Sequence, residues 1–143
     1  MKILKSQIGF SLIEIMVVLA IMGLLASIVG SNVMDALRKG RINRVKADFR
    51  SIENALLTYR MDNGFYPTSE QGIEALVVKA ESHPEPKSFP KDGYLPRLPR
   101  DAWKNEYIYL SPGNGHPYEI ISLGSDGVEG GEEEDADLSV WDE

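Results

Sequence analysis

Chemistry in this chain could come from two places: one carboxylate inside an apolar stretch, and a crowd of carboxylates near the C-terminus. Glu14 is the only charged residue between Phe10 and Met34. Between Ser125 and Asp137 stand seven acids, Asp126, Glu129, Glu132, Glu133, Glu134, Asp135 and Asp137, with Gly127, Gly130 and Gly131 among them. Side chains that usually carry catalysis are scarce. The chain has no cysteine, which excludes a thiol nucleophile, a disulfide and a thiolate metal site. His83 and His116 are the only histidines, and they lie far apart in sequence. No Gly-rich phosphate loop, nucleophile elbow or His-Glu-x-x-His motif is present. Two of the acids could imitate the acid/base pair of a glycosidase. Their crowding in one glycine-rich stretch suits a cation better, so a membrane-anchored hydrolase is the weaker reading and the chain reads as non-enzymatic. A net charge of -7 argues against general affinity for nucleic acid.

The acidic stretch has two readings on its residues alone. One is a solvated acidic tail, the usual fate of such runs. The other is a loop for a hard cation such as calcium, which takes about six to eight oxygens from carboxylates and backbone carbonyls. The alternating Asp/Asn positions of an EF-hand are missing. Leu138, Val140 and Trp141 follow the acids, so the chain must return to an apolar core, and the glycines permit the sharp turns of a ligand loop.

The element that must position Glu14 is an apolar helix. Ile15 to Met34 gives 20 uncharged residues, mostly Ile, Leu, Val, Met and Ala. A helix of that length spans a hydrocarbon layer of about 30 Å. A short leader with Lys2 and Lys5 precedes it. The run is too long for the apolar region of a cleaved secretory signal, and no A-x-A-like site follows it. A carboxylate this close to the start of a membrane helix costs several kcal/mol unless it is paired or held at the interface. Either Glu14 reaches the headgroups, or it meets a cation. A cut after Gly9 would give Phe10 a new α-amine, and the amine of a neighbouring copy would be such a cation.

Gly9-Phe10-Ser11-Leu12-Ile13-Glu14, behind a short basic leader and ahead of an apolar run, resembles the class III signal of type IV pilins and their pseudopilin relatives. The resemblance implies that a prepilin peptidase cuts between Gly9 and Phe10, that Phe10 is N-methylated, and that Glu14 guides assembly. Arg38, Lys39, Arg41, Arg44 and Lys46 follow the apolar run, so charge alone would put the C-terminal side in the cytoplasm. The resemblance implies the opposite orientation. Many relatives carry a helix-bending proline where this chain has Ser31, preceded by Gly30.

Helical patterning continues beyond the apolar run. Ile42, Val45, Phe49, Ile52, Leu56 and Tyr59 recur in steps of three and four and form one apolar stripe. Arg44, Lys46, Asp48, Arg50 and Glu53 are assigned to the opposite faces. Asn63-Gly64 ends the pattern, which predicts one helix from about Phe10 to Met61. Thr68 and Gln71 have capping-box spacing, which predicts a short helix over 70–79. Glu81 to Pro99 contains five prolines and reads as loop. Tyr107 to Leu110 and Tyr118 to Leu123 read as a β-hairpin around Pro112-Gly113-Asn114-Gly115, with a third short strand near Leu138 to Trp141. The expected fold class is α+β, a long helix packed on a small antiparallel sheet.

Tyr66-Pro67, Gln71-Gly72-Ile73-Glu74-Ala75-Leu76, Gly93-Tyr94-Leu95, Leu98-Pro99, Asp101-Ala102-Trp103, Pro112-Gly113, Ser125-Asp126-Gly127, Asp137-Leu138 and Trp141 follow in order. Taken together they resemble the major pseudopilins of the type II secretion system over essentially the whole chain. Relatives usually show Asp-Pro-Trp-Gly where this chain has Asp101-Ala102-Trp103-Lys104. The resemblance implies a leader over 1–9, a transmembrane and filament-core helix over 10–34, and a periplasmic domain over 35–143. That domain comprises the helix continuation to about 61, a variable loop region over 62–105, and the sheet with the acidic loop over 106–143. It further implies a calcium site held by the side chains of Asp126, Asp135 and Asp137 and the carbonyls of Leu123, Ser125 and Val128, with Glu133 and Glu134 as substitutes. The implied function is that of a subunit polymerising into the pseudopilus that drives export of folded proteins. Its implied partners are copies of itself, minor pseudopilins, the prepilin peptidase, the inner-membrane assembly platform and the membrane. A type IV pilin or a minor pseudopilin is the nearest alternative.

Overall fold

The structure, a computed structural model, describes residues 9–142, and of residues 30–31 the backbone alone. The chain divides into two compact units, one up to Arg38 and one from Lys39 onward. Helix α1 (Leu12–Asn63) has 52 residues and contributes to both. It contains no proline, and it continues through residues 30–31 without a break. The expected leader lies outside the described residues except for Gly9, which with Phe10 is non-helical and exposed.

In the first unit the described side chains of α1 are exposed, except that Arg38 is half-buried. Phe10 and Leu12 are each 80% exposed, and Ile15, Val18, Leu24 and Val29 are exposed as well. The polar groups in this stretch close on the helix itself. Ser27 Oγ donates to the Leu24 carbonyl at 2.8 Å and Asn32 Nδ2 to the Ile28 carbonyl at 3.1 Å. A helix that satisfies its own polar groups and turns apolar side chains outward is compatible with a hydrocarbon surrounding.

The second unit is built around the rest of α1. Val45, Phe49, Ile52, Leu56 and Tyr59 are buried, as the periodicity predicts, and Ile42 is half-buried. Their partners include Ile73, Leu76, Leu95, Tyr107, Tyr109, Tyr118 and Ile120. The sheet has three antiparallel strands in the order β1 (Ile108–Leu110), β2 (Glu119–Ser122), β3 (Leu138–Ser139). Tyr109 opposes Ile120, and Ser122 opposes Leu138. Alternation turns Tyr107, Tyr109, Tyr118 and Ile120 toward the core. The hairpin turn is closed by Gly113 N–H donating to the His116 carbonyl at 2.9 Å. Trp141 anchors the C-terminal end, its indole N–H donating to the Tyr118 carbonyl at 2.9 Å.

Two expectations change. Asp48 and Glu53 do not stand on a solvated face. Tyr107 Oη donates to Asp48 at 2.9 Å and Tyr118 Oη donates to Glu53 at 3.1 Å, so the sheet meets α1 through polar contacts beside the apolar stripe. The helix expected over 70–79 is a four-residue 3-10 turn, Ile73–Leu76. The capping box does close, with Gln71 N–H donating to Thr68 Oγ1 at 3.2 Å and Thr68 N–H to Gln71 Oε1 at 3.1 Å. Gly72 then takes φ 65, a left-handed turn that an α-helix cannot contain. The Gln71 amide is committed instead to the carbonyls of Ser82 and Pro84 at 2.9 and 3.0 Å, which fixes the proline-rich loop.

Candidate functional site

The apolar stretch is headed by Glu14, in the first turn of α1. Ser11 caps the helix: its carbonyl accepts from the N–H groups of Glu14 and Ile15 at 3.1 and 3.3 Å. The Glu14 carboxylate reaches back to the Ser11 N–H at 3.4 Å. This is the glutamate half of a capping box, and it places a negative charge at the positive end of the helix. The Ser-x-x-Glu spacing of Ser11 and Glu14 carried that signal, which the sequence reading left unused. Glu14 is therefore oriented toward the Phe10 end of its own chain before any neighbour is present.

The second site is the loop between β2 and β3, which departs from a solvated tail by being internally bonded. Ser125 N–H donates to the Glu134 carbonyl at 2.8 Å, and Asp135 N–H to that of Glu132 at 3.1 Å. Asn105 Nδ2 holds the Gly124 carbonyl at 2.9 Å. Gly124 has φ 64, and a Cβ there would stand 2.8 Å from the Asp135 backbone, so only glycine lets the two ends of the loop approach. Glu134 ties the loop to α1 through an ion pair with Arg41 at 3.0 Å.

Each expected ligand has a place in this loop. The Asp126 carboxylate accepts from Val128 N–H at 3.0 Å. Asp135 accepts a short hydrogen bond from the Ser125 hydroxyl. Asp137 Oδ2 accepts from Gly130 N–H at 2.9 Å, while its Oδ1 is buried without a hydrogen-bond partner. Leu123 is half-buried at the exit of β2, and Val128 is exposed. Among the described residues no three acidic or histidine side chains converge as a metal cluster. Glu134, named as a substitute ligand, is engaged by Arg41, and Glu133 is exposed at φ 55.

A third polar centre went unforeseen. Asp101 is fully buried. Its Oδ1 accepts from the N–H groups of Trp103 and Asn105 at 2.9 and 2.8 Å, and its Oδ2 from the Ser122 hydroxyl at 2.7 Å. It joins the turn before β1 to the end of β2, immediately upstream of the acidic loop. Lys104 closes that turn with φ 75, a conformation that suits glycine better than lysine. The sequence shows an Asp-Ala-Trp-Lys run but gives no sign that its aspartate is buried.

Phenols dominate the interface between α1 and the sheet, and their ionisation is suppressed. Burial, reinforced by the hydrogen bond to Asp48, pushes Tyr107 far up. Burial pushes Tyr109 up to about 12, and burial together with the Glu53 charge raises Tyr118.

Residues 32–141 match the family described as Type II secretion system (T2SS), protein G, and residues 4–30 match the prokaryotic N-terminal methylation motif. The type II secretion system core protein G of Pseudomonas aeruginosa is 48% identical over 138 residues, 96% of this chain and 97% of the relative. That of Vibrio cholerae is 45% identical over 141 residues, covering 99% and 96%. The crystal structure of the major pseudopilin from the type 2 secretion system of enterohaemorrhagic Escherichia coli superposes with a TM-score of 0.69 at 41% identity, covering 77% of this chain and 94% of that one. The chain belongs to the type II secretion system protein G family, the major pseudopilins.

Proposed function

We propose that this chain is cut between Gly9 and Phe10, waits in the inner membrane with residues 35–143 in the periplasm, and polymerises into a pseudopilus that drives export of folded proteins across the outer membrane. The observation that carries the reading is the first unit, where the described apolar side chains of the helix are all exposed and Glu14 lies in a capped first turn. Lipid tails are as apolar as leucine, so moving this helix from bilayer to filament core gains little hydrophobic free energy. A polar contact must then favour the polymer. Glu14, held at the Phe10 end of the helix, would meet the amine of a neighbour in surroundings where an unpaired charge is costly. Copies of the chain, minor pseudopilins, the prepilin peptidase and an inner-membrane assembly platform are its partners in this reading. The test is the mass of the mature chain, expected to begin at N-methyl-Phe10; a chain that retains residues 1–9 in assembled filaments overturns it.

Calcium belongs to the same reading. The donors of the acidic loop are all oxygens, and among the described residues Asp137 Oδ1 is the loop oxygen that is buried without a hydrogen-bond partner. Asp126, Asp135 and Asp137, with the carbonyls of Leu123, Ser125 and Val128, would hold the ion. Asp126 and Asp135 would exchange their present hydrogen bonds with Val128 and Ser125 for it. The ion would neutralise crowded carboxylates and join both ends of the loop, a tie that a domain without disulfides lacks. Calcium at 100 times its Kd adds about 2.7 kcal/mol to stability. EDTA should therefore lower the melting temperature, and a melting curve unchanged by EDTA removes calcium from the reading.

A further inference from the structure

We propose that a groove beside Arg44 and Arg97 receives the acidic segment 129–133 of a second copy of this chain. The inference rests on the polymer reading above and names one of its contacts. The groove has a volume of about 480 Å³ and lies between α1 and the segment 95–100. Its cations differ in commitment. Arg100 is engaged by Glu106 at 2.9 Å and by the Lys104 carbonyl at 3.2 Å. Arg44 and Arg97 form no hydrogen bond or ion pair among the described residues, and Asp48, which also lines the groove, is taken by Tyr107. Leu95 and Leu98 supply apolar walls, and Pro96 and Pro99 flank Arg97 with fixed backbone. A guanidinium on a stiff segment loses less freedom on pairing, and partial desolvation strengthens the pair.

The complement is on the same unit. Glu129, Glu132 and Glu133 are exposed, and their side chains have no partner among the described residues, whereas Glu134 is already held by Arg41. Uncommitted cations and uncommitted anions thus sit on different segments and form no ion pair with one another among the described residues. Two different patches that fit each other between copies make a head-to-tail contact, and such a contact continues into a filament unless the rotation closes. In a chain of net charge -7, a basic recess also gives repelling copies a defined place to meet. With Asp126, Asp135 and Asp137 as its ligands, a loop-bound cation leaves the three glutamates to the second copy, so this contact and the ion are compatible.

The absence of cysteine makes the test clean. Arg97→Cys and Glu132→Cys are introduced together into the full chain, and filaments sheared from producing cells are treated with a short bis-maleimide. A ladder of cross-linked multimers is expected, with none from either single variant. Arg97→Glu alone should reduce filament yield by about tenfold or more, and adding Glu132→Arg with Glu133→Arg should restore it. Double-cysteine filaments that give no ladder, or an Arg97→Glu chain that assembles as well as the parent, overturn the contact and leave the polymer reading standing; lipid phosphate or exported protein would then be the occupant to test. A parent chain that forms no filament overturns the polymer reading itself.

Discussion

The two stretches of α1 hide apolar surface in opposite ways. From Lys39 to Asn63 the stripe Val45, Phe49, Ile52, Leu56 and Tyr59 is covered by the chain's own sheet and loops. From Leu12 to Arg38 comparable side chains are left uncovered by the described residues, with Leu24 65% and Val29 59% exposed. One helix therefore carries a stripe written for a domain core and an all-round apolar surface written for an apolar surrounding. The difference separates folding from assembly. The second stretch builds the domain, and in the proposed function the first sets where it goes and with what it polymerises.

Substitutions should respect that separation. The largest effect falls on assembly: Glu14→Ala should abolish filaments while the chain is still cut to its mature mass. Normal filament yield from this variant would end the pairing role of Glu14. Next comes the core. Leu56→Ala should cost about 2–5 kcal/mol, read as a lower melting temperature of the chain in detergent, whereas Leu25→Ala should leave that transition in place. Equal shifts from both would dissolve the contrast between the stretches.

The phenol-rich interface gives an alkaline signature of the second stretch alone. Tyr59, Tyr94, Tyr107, Tyr109 and Tyr118 are all raised above the ordinary value of 10.0, with burial the first cause in each. A raised folded pKa means the stability these neutral phenols contribute is complete below about pH 10. It is lost as pH rises through their folded values. Ultraviolet titration should therefore show phenolate appearing together with unfolding above pH 10; most phenols ionising in the folded state would contradict the buried interface. The smallest effect belongs to the turn before β1. Lys104→Gly should stabilise the domain by about 1 kcal/mol, since φ 75 costs lysine what it does not cost glycine. A lower melting temperature would show that the lysine side chain contributes more than the strain.

Some features were legible because they are local. The apolar run, the helix stripe, the hairpin at Pro112-Gly113 and the Gly9-Phe10…Glu14 pattern depend on composition and on periods of two or a few residues. Helix α1 ends at Asn63, two residues beyond the expected boundary, and the observed strands fall inside the predicted ones. What failed depends on distant partners. Thr68 and Gln71 formed the predicted cap, yet no α-helix followed, because Gln71 is bound to carbonyls 11 and 13 residues away and Gly72 turns left-handed.

The sequence by itself determined the apolar helix, the class of fold, the processing motif and the presence of an oxygen-rich loop, since each is a property of adjacent residues. Only the tertiary structure decided which carboxylates are structural. Asp48 and Glu53 receive phenols from 59 and 65 residues away, Asp101 is buried under Ser122, and Glu134 is drawn to Arg41. An aspartate carries the same charge wherever it stands in sequence. Its role follows from the desolvation and the donors that folding brings to it, and no local period encodes these.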